Sequence, residues 1–251
     1  MSTVTTSSPQ IADGIAATVD RLVAITDEWR DRLGDALADP TERSAVLLDP
    51  LVRDLVLPAF EGALVTGAGF VAAPGLLADA QWHLAWWLAD RDASQPRRLT
   101  TVDDPDNEQF RDYTALEWWR VPARTHARHL TGPYVDYVCT DDYTITITTP
   151  VEFEGELLGV VGVDCLVDKL ENELRPFLRA QGGAAVVNSS SRIVTATDAR
   201  RETGSILRVP GLTEALEPLR RAAPGVVDAL LAGDVRVLSC GDTSLALVTG
   251  L

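Results

Sequence analysis

Cysteine is scarce in this sequence, and its spacing matches no common metal or redox motif. The 251-residue chain contains three cysteines, Cys139, Cys165 and Cys240, and no CxxC pair. Such spacing excludes a zinc ribbon and a dithiol redox motif. Because all three lie in apolar, strand-like runs, we expect them to be small buried hydrophobic side chains in a reducing compartment.

Long apolar segments and targeting signals are missing too. The first ten residues, MSTVTTSSPQ, are polar and lack the basic and apolar regions of a signal peptide. No run of about 18 apolar residues follows, so we expect no transmembrane helix. These features predict a cytoplasmic protein without membrane insertion.

Positive charge is in deficit. The chain has 22 lysines and arginines against 37 aspartates and glutamates, which gives a formal net charge of −15. A surface of this sign repels nucleic acid and anionic membranes, so neither is expected as a partner. Solubility alone accounts for most of this charge.

The common catalytic and cofactor-binding motifs are absent or incomplete. There is no GxSxG nucleophile motif. Gly67 and Gly69 begin a GxGxxG-like run, but Ala72 replaces the third glycine, which favours a strand with close backbone packing. His126 and His129 lack further metal ligands, and we expect them on the surface or at a pocket rim. The sequence predicts no cofactor, no metal site and no enzymatic activity.

Helical periodicity dominates the first quarter of the chain. An apolar stripe over residues 11–37 indicates one long helix, which Pro40 ends. A second helix is expected over residues 42–60, kinked or split at Pro50. Its expected core face consists of Leu47, Leu51, Leu55 and Val56.

Alternating patterns then predict strands and a second, smaller sheet. The runs VTGAGFVAAPG and WHLAWWLAD indicate strands, and DDPDNEQFRDY indicates a helix start because acids and Pro105 lie in its first turn. After the helix VDKLENELRPFLRA, two hairpins flank the helical run LTEALEPLRRAAPGVVDALLAG. The predicted fold class is α+β, with one antiparallel sheet and flanking helices, long N-terminal helices and a smaller sheet unit.

Residues 132–165 predict three antiparallel strands joined by two-residue turns at Asp141–Asp142 and Glu154–Gly155. Side chains alternate between the two faces of a strand, and counting from the turns places Asp164 opposite Ile145. One face then carries Tyr134, Asp136, Val138, Ile145, Ile147, Gly162 and Asp164. The other carries Val135, Tyr137, Thr146, Thr148, Val161 and Val163.

Two carboxylates therefore share one face of an apolar sheet. Gly162, which has no side chain, is expected to leave space between Asp136 and Asp164. A buried ionised carboxylate is costly unless it is paired, and these strands contain no lysine or arginine. Either Arg111 or Arg120 pairs with Asp164, or a cationic ligand does.

Aromatic residues cluster nearby. Tyr113, Trp118, Trp119, Tyr134 and Tyr137 fall within 25 residues of a chain that is only 6% aromatic. Tryptophan faces beside acids suit a pocket for a cation. A core patch of large residues explains the same cluster equally well.

The segment GPYVDY…TITITTPVEFEGELLGVVGVD resembles the Cache family of sensor domains, which have a PAS-like sheet. In that family a Pro-Tyr-x-Asp strand is followed by a hairpin and a GVxGxD strand. The upstream EWWRVP is similar to the family's Arg-x-Trp-Tyr segment, which lies over the pocket. The resemblance covers residues 60–170 well and residues 180–251 weakly, as in a double Cache protein.

The resemblance implies an organisation in four parts. These are a disordered tail (1–10), an N-terminal helical segment (11–60), a ligand-binding Cache-like domain (61–170), and a linking helix with a smaller PAS-like unit (171–251).

The resemblance also implies a ligand site. The family's ammonium-binding residues are carried over as Tyr134, Asp136 and Asp164, and its Trp-aromatic pair as Trp118 and Trp119. Tyr113 is expected beside them. Leu116 stands where the family has its carboxylate-binding arginine, which favours an amine, polyamine or methylated ammonium ligand. An amino-acid ligand remains an alternative if Arg120, Arg124 or His126 replaces that arginine.

The expected function is that of a soluble small-molecule sensor that signals through a partner. By analogy, that partner is a separately encoded regulator, and the N-terminal helices provide a homodimer interface. Two other classes stay open at this point. A structural interaction module predicts a filled core beside Gly162, and an enzyme predicts acid–base use of Asp136 and Asp164.

Overall fold

A six-stranded antiparallel sheet forms the centre of the first half of the protein. The computed structural model describes residues 7–90, 95–137, 142–179 and 181–251. The strands of the first sheet are β1 (Val65–Ala72), β2 (Leu84–Leu88), β3 (Arg97–Arg98), β4 (His129–Val135), β5 (Tyr143–Phe153) and β6 (Glu156–Leu166). Their order across the sheet is β3-β2-β1-β6-β5-β4. Because β1 and β6 are central and almost wholly buried, both faces of the sheet are covered.

Helices pack on both faces of this sheet. They are α1 (Ser8–Ala36), α2 (Ala45–Val56), α3 (Glu117–Thr125) and α4 (Val167–Leu178), while the short α5 (Leu212–Ala215) packs in a separate core formed by the second half of the chain. α1 and α2 cover one face, and α3 covers the other, where it contacts β4, β5 and β6. No helix in the described ranges is both long and apolar enough to span a bilayer.

α1 follows the predicted apolar stripe and starts earlier than expected. Its first turn is stabilised by Gln10, whose side-chain oxygen accepts a hydrogen bond from the Ser7 N–H (2.9 Å). Ser8 is therefore helical, although residues 1–10 were expected to form a disordered tail; residues 1–6 lie outside the described ranges. At 29 residues, α1 is about 44 Å long and contacts both sheets.

α2 differs from its prediction in its buried face and in its ends, since it spans Ala45–Val56 and not residues 42–60. Leu47 was expected in the core but is 53% exposed, because the buried stripe runs one position later through Leu48, Val52, Leu55 and Val56. Pro50 lies inside the helix without splitting it. Proline there removes a single backbone hydrogen bond, and the packing of the stripe offsets that loss.

The second half of the chain forms a separate five-stranded sheet, as the hairpin pattern predicted. Its strands are β7 (Ala184–Asn188), β8 (Ile193–Ala196), β9 (Asp228–Leu230), β10 (Arg236–Ser239) and β11 (Leu245–Thr249), in the order β8-β7-β11-β10-β9. The long helix expected between the hairpins is wrong. Pro218 and Pro224 interrupt that segment, which contains only α5, one 3-10 turn and β9.

The helix predicted from DDPDNEQFRDY is also wrong. Asp104 and Asn107 accept hydrogen bonds from the backbone N–H groups two residues further on, at 3.0 and 2.9 Å. These side-chain turns compete with helical hydrogen bonds. The segment consists of turns up to the 3-10 turn Tyr113–Ala115.

The pairing of β5 with β6 is shifted by one residue from the predicted pairing. The turn at Glu154–Gly155 is correct, since Phe153 pairs with Glu156, but a bulge between Val151 and Glu152 follows. Thr146, rather than Ile145, therefore lies opposite Asp164. Ile145 and Ile147 pack instead on the opposite face, in the core covered by α1 and α2, together with Val161 and Val163.

Candidate functional site

Four of the predicted site residues surround a small cavity between the first sheet and α3. The cavity has a volume of about 20 Å³, which is room for one or two water molecules. Its lining consists of Val71, Leu84, Trp86, Trp118, Tyr134, Asp136, Thr146 and Asp164. The predicted grouping of two aspartates, one tyrosine and one tryptophan is thus present in the structure.

Asp164 is the buried acid of this cavity. β6 presents it on the α3 side of the sheet, where it is 3% exposed, and Thr146 Oγ1 donates a 2.6 Å hydrogen bond to its Oδ1. Burial, followed by repulsion from Asp136, raises the pKa of Asp164 from 3.8 to about 7. The carboxylic acid and the carboxylate are therefore both populated at neutral pH.

Tyr134 is linked to Asp164 through Thr146. The Tyr134 hydroxyl lies 2.8 Å from Thr146 Oγ1. Thr146 has one hydroxyl hydrogen, which it donates to Asp164, so Tyr134 is the donor of the first bond. This chain of hydroxyls joins β4, β5 and β6 and orients all three polar side chains toward the cavity.

Asp136 follows directly after β4 and is 3% exposed. Its backbone N–H donates to the carbonyl of Asp142 at 3.1 Å, which fixes this acid near the end of the strand. The predicted two-residue turn at Asp141–Asp142 is wrong, because Val135 rather than Thr140 pairs with Tyr143. Val138 and Cys139 lie outside the described residues. The two aspartates nevertheless face the same cavity.

Trp86 also lines the cavity, although no sequence pattern pointed to it. Its buried indole nitrogen lies beside the Asp164 carboxylate, and the interaction between the two groups lowers the pKa of Asp164. A Cβ on Gly67 would lie 2.5 Å from Asp164 Oδ2 and 2.9 Å from Trp86 Nε1. The close backbone packing predicted for Gly67 and Gly69 is therefore confirmed, and it makes room for Trp86.

The space expected beside Gly162 is filled. A Cβ at this position would lie 2.9 Å from the Thr148 methyl group and 3.2 Å from the ring of Trp86. The cavity is instead displaced toward Asp164 and Thr146. The missing side chain of Gly162 allows the indole of Trp86 to approach the sheet closely.

Tyr113 and Trp119 lie behind the cavity wall and do not line it. The Tyr113 hydroxyl donates to the carbonyl of Ala72 (2.8 Å), and burial raises the pKa of this phenol to about 12. Its ring packs against Trp119 and Trp118, with centroids 5.2 and 6.4 Å away. Trp119 therefore belongs to a core patch that supports Trp118, while Tyr113 also lines a second, larger cavity.

A second, larger cavity adjoins the first through Leu84, which lines both. It has a volume of about 270 Å³. Leu116, Arg111 and Gln109 line it, together with Tyr137, which is 82% exposed.

The basic residues considered at the sequence level lie elsewhere. Arg120 is exposed, and Arg124 lines a different cleft. His126 pairs with Glu152, and His129 Nε2 lies 2.9 Å from Glu117 Oε1. In the part of the chain that the structure describes, no lysine, arginine or histidine lines the small cavity. The described residues also contain no cluster of three potential metal ligands.

Comparison with known proteins identifies related folds. Residues 90–172 match the family model described as methyl-accepting chemotaxis protein-like, first PDC sensor domain. A search of curated protein sequences finds no match. The matched segment contains α3, β4, β5 and β6 and five of the eight residues that line the small cavity.

Solved structures are similar over almost the whole chain. Methyl-accepting chemotaxis protein X has a TM-score of 0.64 at 18% identity, covering 96% of this chain and 93% of its own. The Campylobacter jejuni chemoreceptor Tlp3 ligand-binding domain, in complex with L-valine, has a TM-score of 0.55 at 16% identity, covering 95% and 88%. The Pseudomonas aeruginosa chemoreceptor PctC ligand-binding domain, in complex with GABA, has 0.55 at 16%, covering 96% and 95%.

These likenesses extend through both sheets and the long first helix. At this level of identity they establish the fold, and the family model adds the sensor-domain segment in the first sheet. The resemblance to Cache sensor domains is confirmed: the chain has their two-module α+β fold.

Proposed function

We propose that this protein is a small-molecule sensor module that binds the ammonium group of its ligand at Asp164 and Asp136. The observation that carries the proposal is the cavity itself. Among the described residues, its polar lining contains two buried acids, two hydroxyls and no basic side chain. An ammonium group would supply the positive charge that Asp164 needs to ionise in a buried position.

The aromatic walls of the cavity favour a bound cation, as its two acidic side chains do. Trp86 and Trp118 present aromatic rings, whose faces attract ammonium groups by roughly 1–2 kcal/mol when water is excluded. At about 20 Å³ the cavity holds only the head group. The rest of the ligand would occupy the larger cavity beyond Leu84.

An amino acid is the second candidate ligand. Two of the structural neighbours are in complex with L-valine and GABA. Leu116 replaces the expected arginine, but Arg111 lines the larger cavity and could bind a carboxylate distant from the ammonium. An amine without a carboxylate requires no such contact. Matched pairs such as n-butylamine and γ-aminobutyrate, tested with Arg111→Gln, therefore separate the two.

Calorimetric titration with a panel of amines tests the proposal. We expect at least one amine to bind, and Asp164→Asn to weaken it at least 30-fold, or about 2 kcal/mol, because the ammonium loses its buried counter-charge. Asp54→Asn, on exposed α2 surface, controls for the change in net charge. Equal affinity for the wild type and Asp164→Asn would remove Asp164 from the site.

Binding is also expected to release protons near neutral pH. The pKa of Asp164 is about 7 in the empty cavity, and a bound ammonium lowers it, so about 0.5 proton leaves at pH 7 and almost none at pH 9. Calorimetry in phosphate, PIPES and HEPES buffers measures this number from the dependence of the binding enthalpy on buffer ionisation enthalpy. The same enthalpy in all buffers at pH 7 would contradict a coupled titration.

The proposal describes a binding module rather than an enzyme. Mass spectrometry of the ligand after incubation checks this, since turnover would convert it to a product. Signalling through a separately encoded regulator, a homodimer formed by the N-terminal helices, and a cytoplasmic location stay predictions from the sequence.

A further inference from the structure

A wide cleft lies between the two modules beside α3, which contributes Glu117, Val121, Arg124 and Thr125 to its lining. It has a volume of about 410 Å³, which is within the range for metabolite sites. The first module contributes α1, α3 and the start of β4. The second contributes the β7–β8 turn, residues 219–224 and the β10–β11 turn.

The cleft is basic in a protein whose net charge is −15. Four arginines line it, Arg124, Arg128, Arg220 and Arg221, with only two acids, Glu117 and Asp242. A concentration of positive charge in a concave surface attracts anions and raises their local concentration. An acidic protein therefore carries one site of the opposite sign at its module junction.

The pKa of Glu117 is lowered by positively charged groups around the same cleft. The hydrogen bond from His129 and the charges of His129, Arg120 and Arg192 lower the pKa of this carboxyl, against the effect of its partial burial. Arg120 and Arg192 add to the four lining arginines. The positive field thus extends across both modules around the cleft.

Two of the lining arginines are available to a ligand. Arg220 is paired with Glu217 at 2.9 Å, and Arg128 has distant contacts of 3.6 Å with Asp27 and Asp242. Within the described ranges, no ion pair or side-chain hydrogen bond engages Arg124 or Arg221. The arrangement leaves one free guanidinium on each side of the cleft.

An unsatisfied donor lies on the same wall. The hydroxyl of Ser244 is buried without a hydrogen-bond partner in the described structure, and Ser244 lines the cleft. A buried hydroxyl without a partner is destabilising, and an anion oxygen would satisfy it. This is an observation independent of the arginines.

We propose that the cleft binds a small dianion, a phosphate or dicarboxylate, between Arg124 of the first module and Arg221 of the second. Guanidinium groups bind carboxylates and phosphates through paired, charge-assisted hydrogen bonds. Ser244 donates a further hydrogen bond. The anion would bridge the two sheets and stabilise their contact.

Calorimetric titration of the full chain with sodium phosphate and with succinate, at low ionic strength, tests this site. We expect one of the two anions to bind with a dissociation constant below about 1 mM, and binding to weaken as sodium chloride is added. The R124Q/R221Q double variant is expected to bind roughly 100-fold more weakly, about tenfold for each guanidinium lost.

The matched control is R53Q/R200Q, which removes the same charge from exposed positions outside the cleft. We expect its affinity to stay within about threefold of the wild type. Circular dichroism verifies that both double variants fold. Binding of neither anion, or equal weakening in both double variants, would overturn the proposal. Asp164→Asn is expected to leave anion binding unchanged, so this test does not depend on the amine site.

Discussion

Asp164→Asn is expected to stabilise the ligand-free protein by roughly 4 kcal/mol at pH 8, since each unit of the rise in the Asp164 pKa from 3.8 to about 7 corresponds to about 1.36 kcal/mol. Because its pKa is raised to about 7, Asp164 stabilises the fold fully below pH 3.8, where it is protonated in both folded and unfolded states. That stability is lost as the pH rises through 7. Asparagine has the same shape and remains neutral, so the variant does not lose it.

The pH dependence distinguishes this effect from ordinary repacking. Between pH 5.5 and pH 8 the stability advantage of the variant should grow by about 2 kcal/mol. Below a folded pKa of about 7, each pH unit favours the unfolded wild type, in which Asp164 is ionised, by about 1.36 kcal/mol. Urea unfolding at both pH values measures the difference, with Asp54→Asn as the charge control. A variant less stable than the wild type at pH 8 would mean that the fold itself stabilises the charged carboxylate.

Gly69→Ala is expected to destabilise the protein by about 3 kcal/mol. A Cβ there would overlap the carbonyl oxygen of Ala85 and lie 2.7 Å from the Trp86 Cα. Both atoms belong to the backbone of β2, so no side-chain rotation relieves the clash, and β1 and β2 must separate. The loss is measured by thermal or urea unfolding.

Gly182→Ala is the matched control for this substitution. A Cβ on Gly182 would have no atom within 4 Å, and this glycine does not have a positive φ. We expect its effect to be below about 0.5 kcal/mol. Similar losses in the two variants would show that the close approach of β1 and β2 is not what Gly69 provides.

Local patterns predicted the elements that carry their own periodicity. α1, α4, the β5–β6 hairpin and the second-sheet hairpins appear where apolar spacing and turn residues placed them. Asp136 and Asp164 share a cavity because alternation within β6 and after β4 fixes the face of each acid. That part of the site is local and is readable without knowledge of the sheet order.

The middle strand could not be predicted in the same way. A bulge between Val151 and Glu152 and a shift between Thr131 and Tyr134 alter the register on both sides of β5. Neither has a signature as clear as a turn. The bulge between Val151 and Glu152 presents Thr146 to Asp164 in place of an isoleucine, and Thr146 supplies the hydrogen bond that the predicted face lacked.

Trp86 depends on contacts that no local pattern contains. It lies 78 residues before Asp164 in the chain, and only the order β2-β1-β6 brings the two side chains together. The glycines of β1 indicate close packing but not its partner. Arg124 and Arg221 likewise line one cleft only because the two modules are folded against each other.

One hydrogen bond between the sheets gives the second module a mechanical link to the cavity. The side-chain nitrogen of Asn188 donates to the carbonyl of Gly132 (2.7 Å), while its oxygen accepts from the N–H groups of Ser190 and Arg192 in its own hairpin. Gly132 lies two residues before Tyr134. A movement of β4 would therefore either break this hydrogen bond or displace the β7–β8 hairpin together with β4. Asn188 thus couples the position of the second sheet to that of β4.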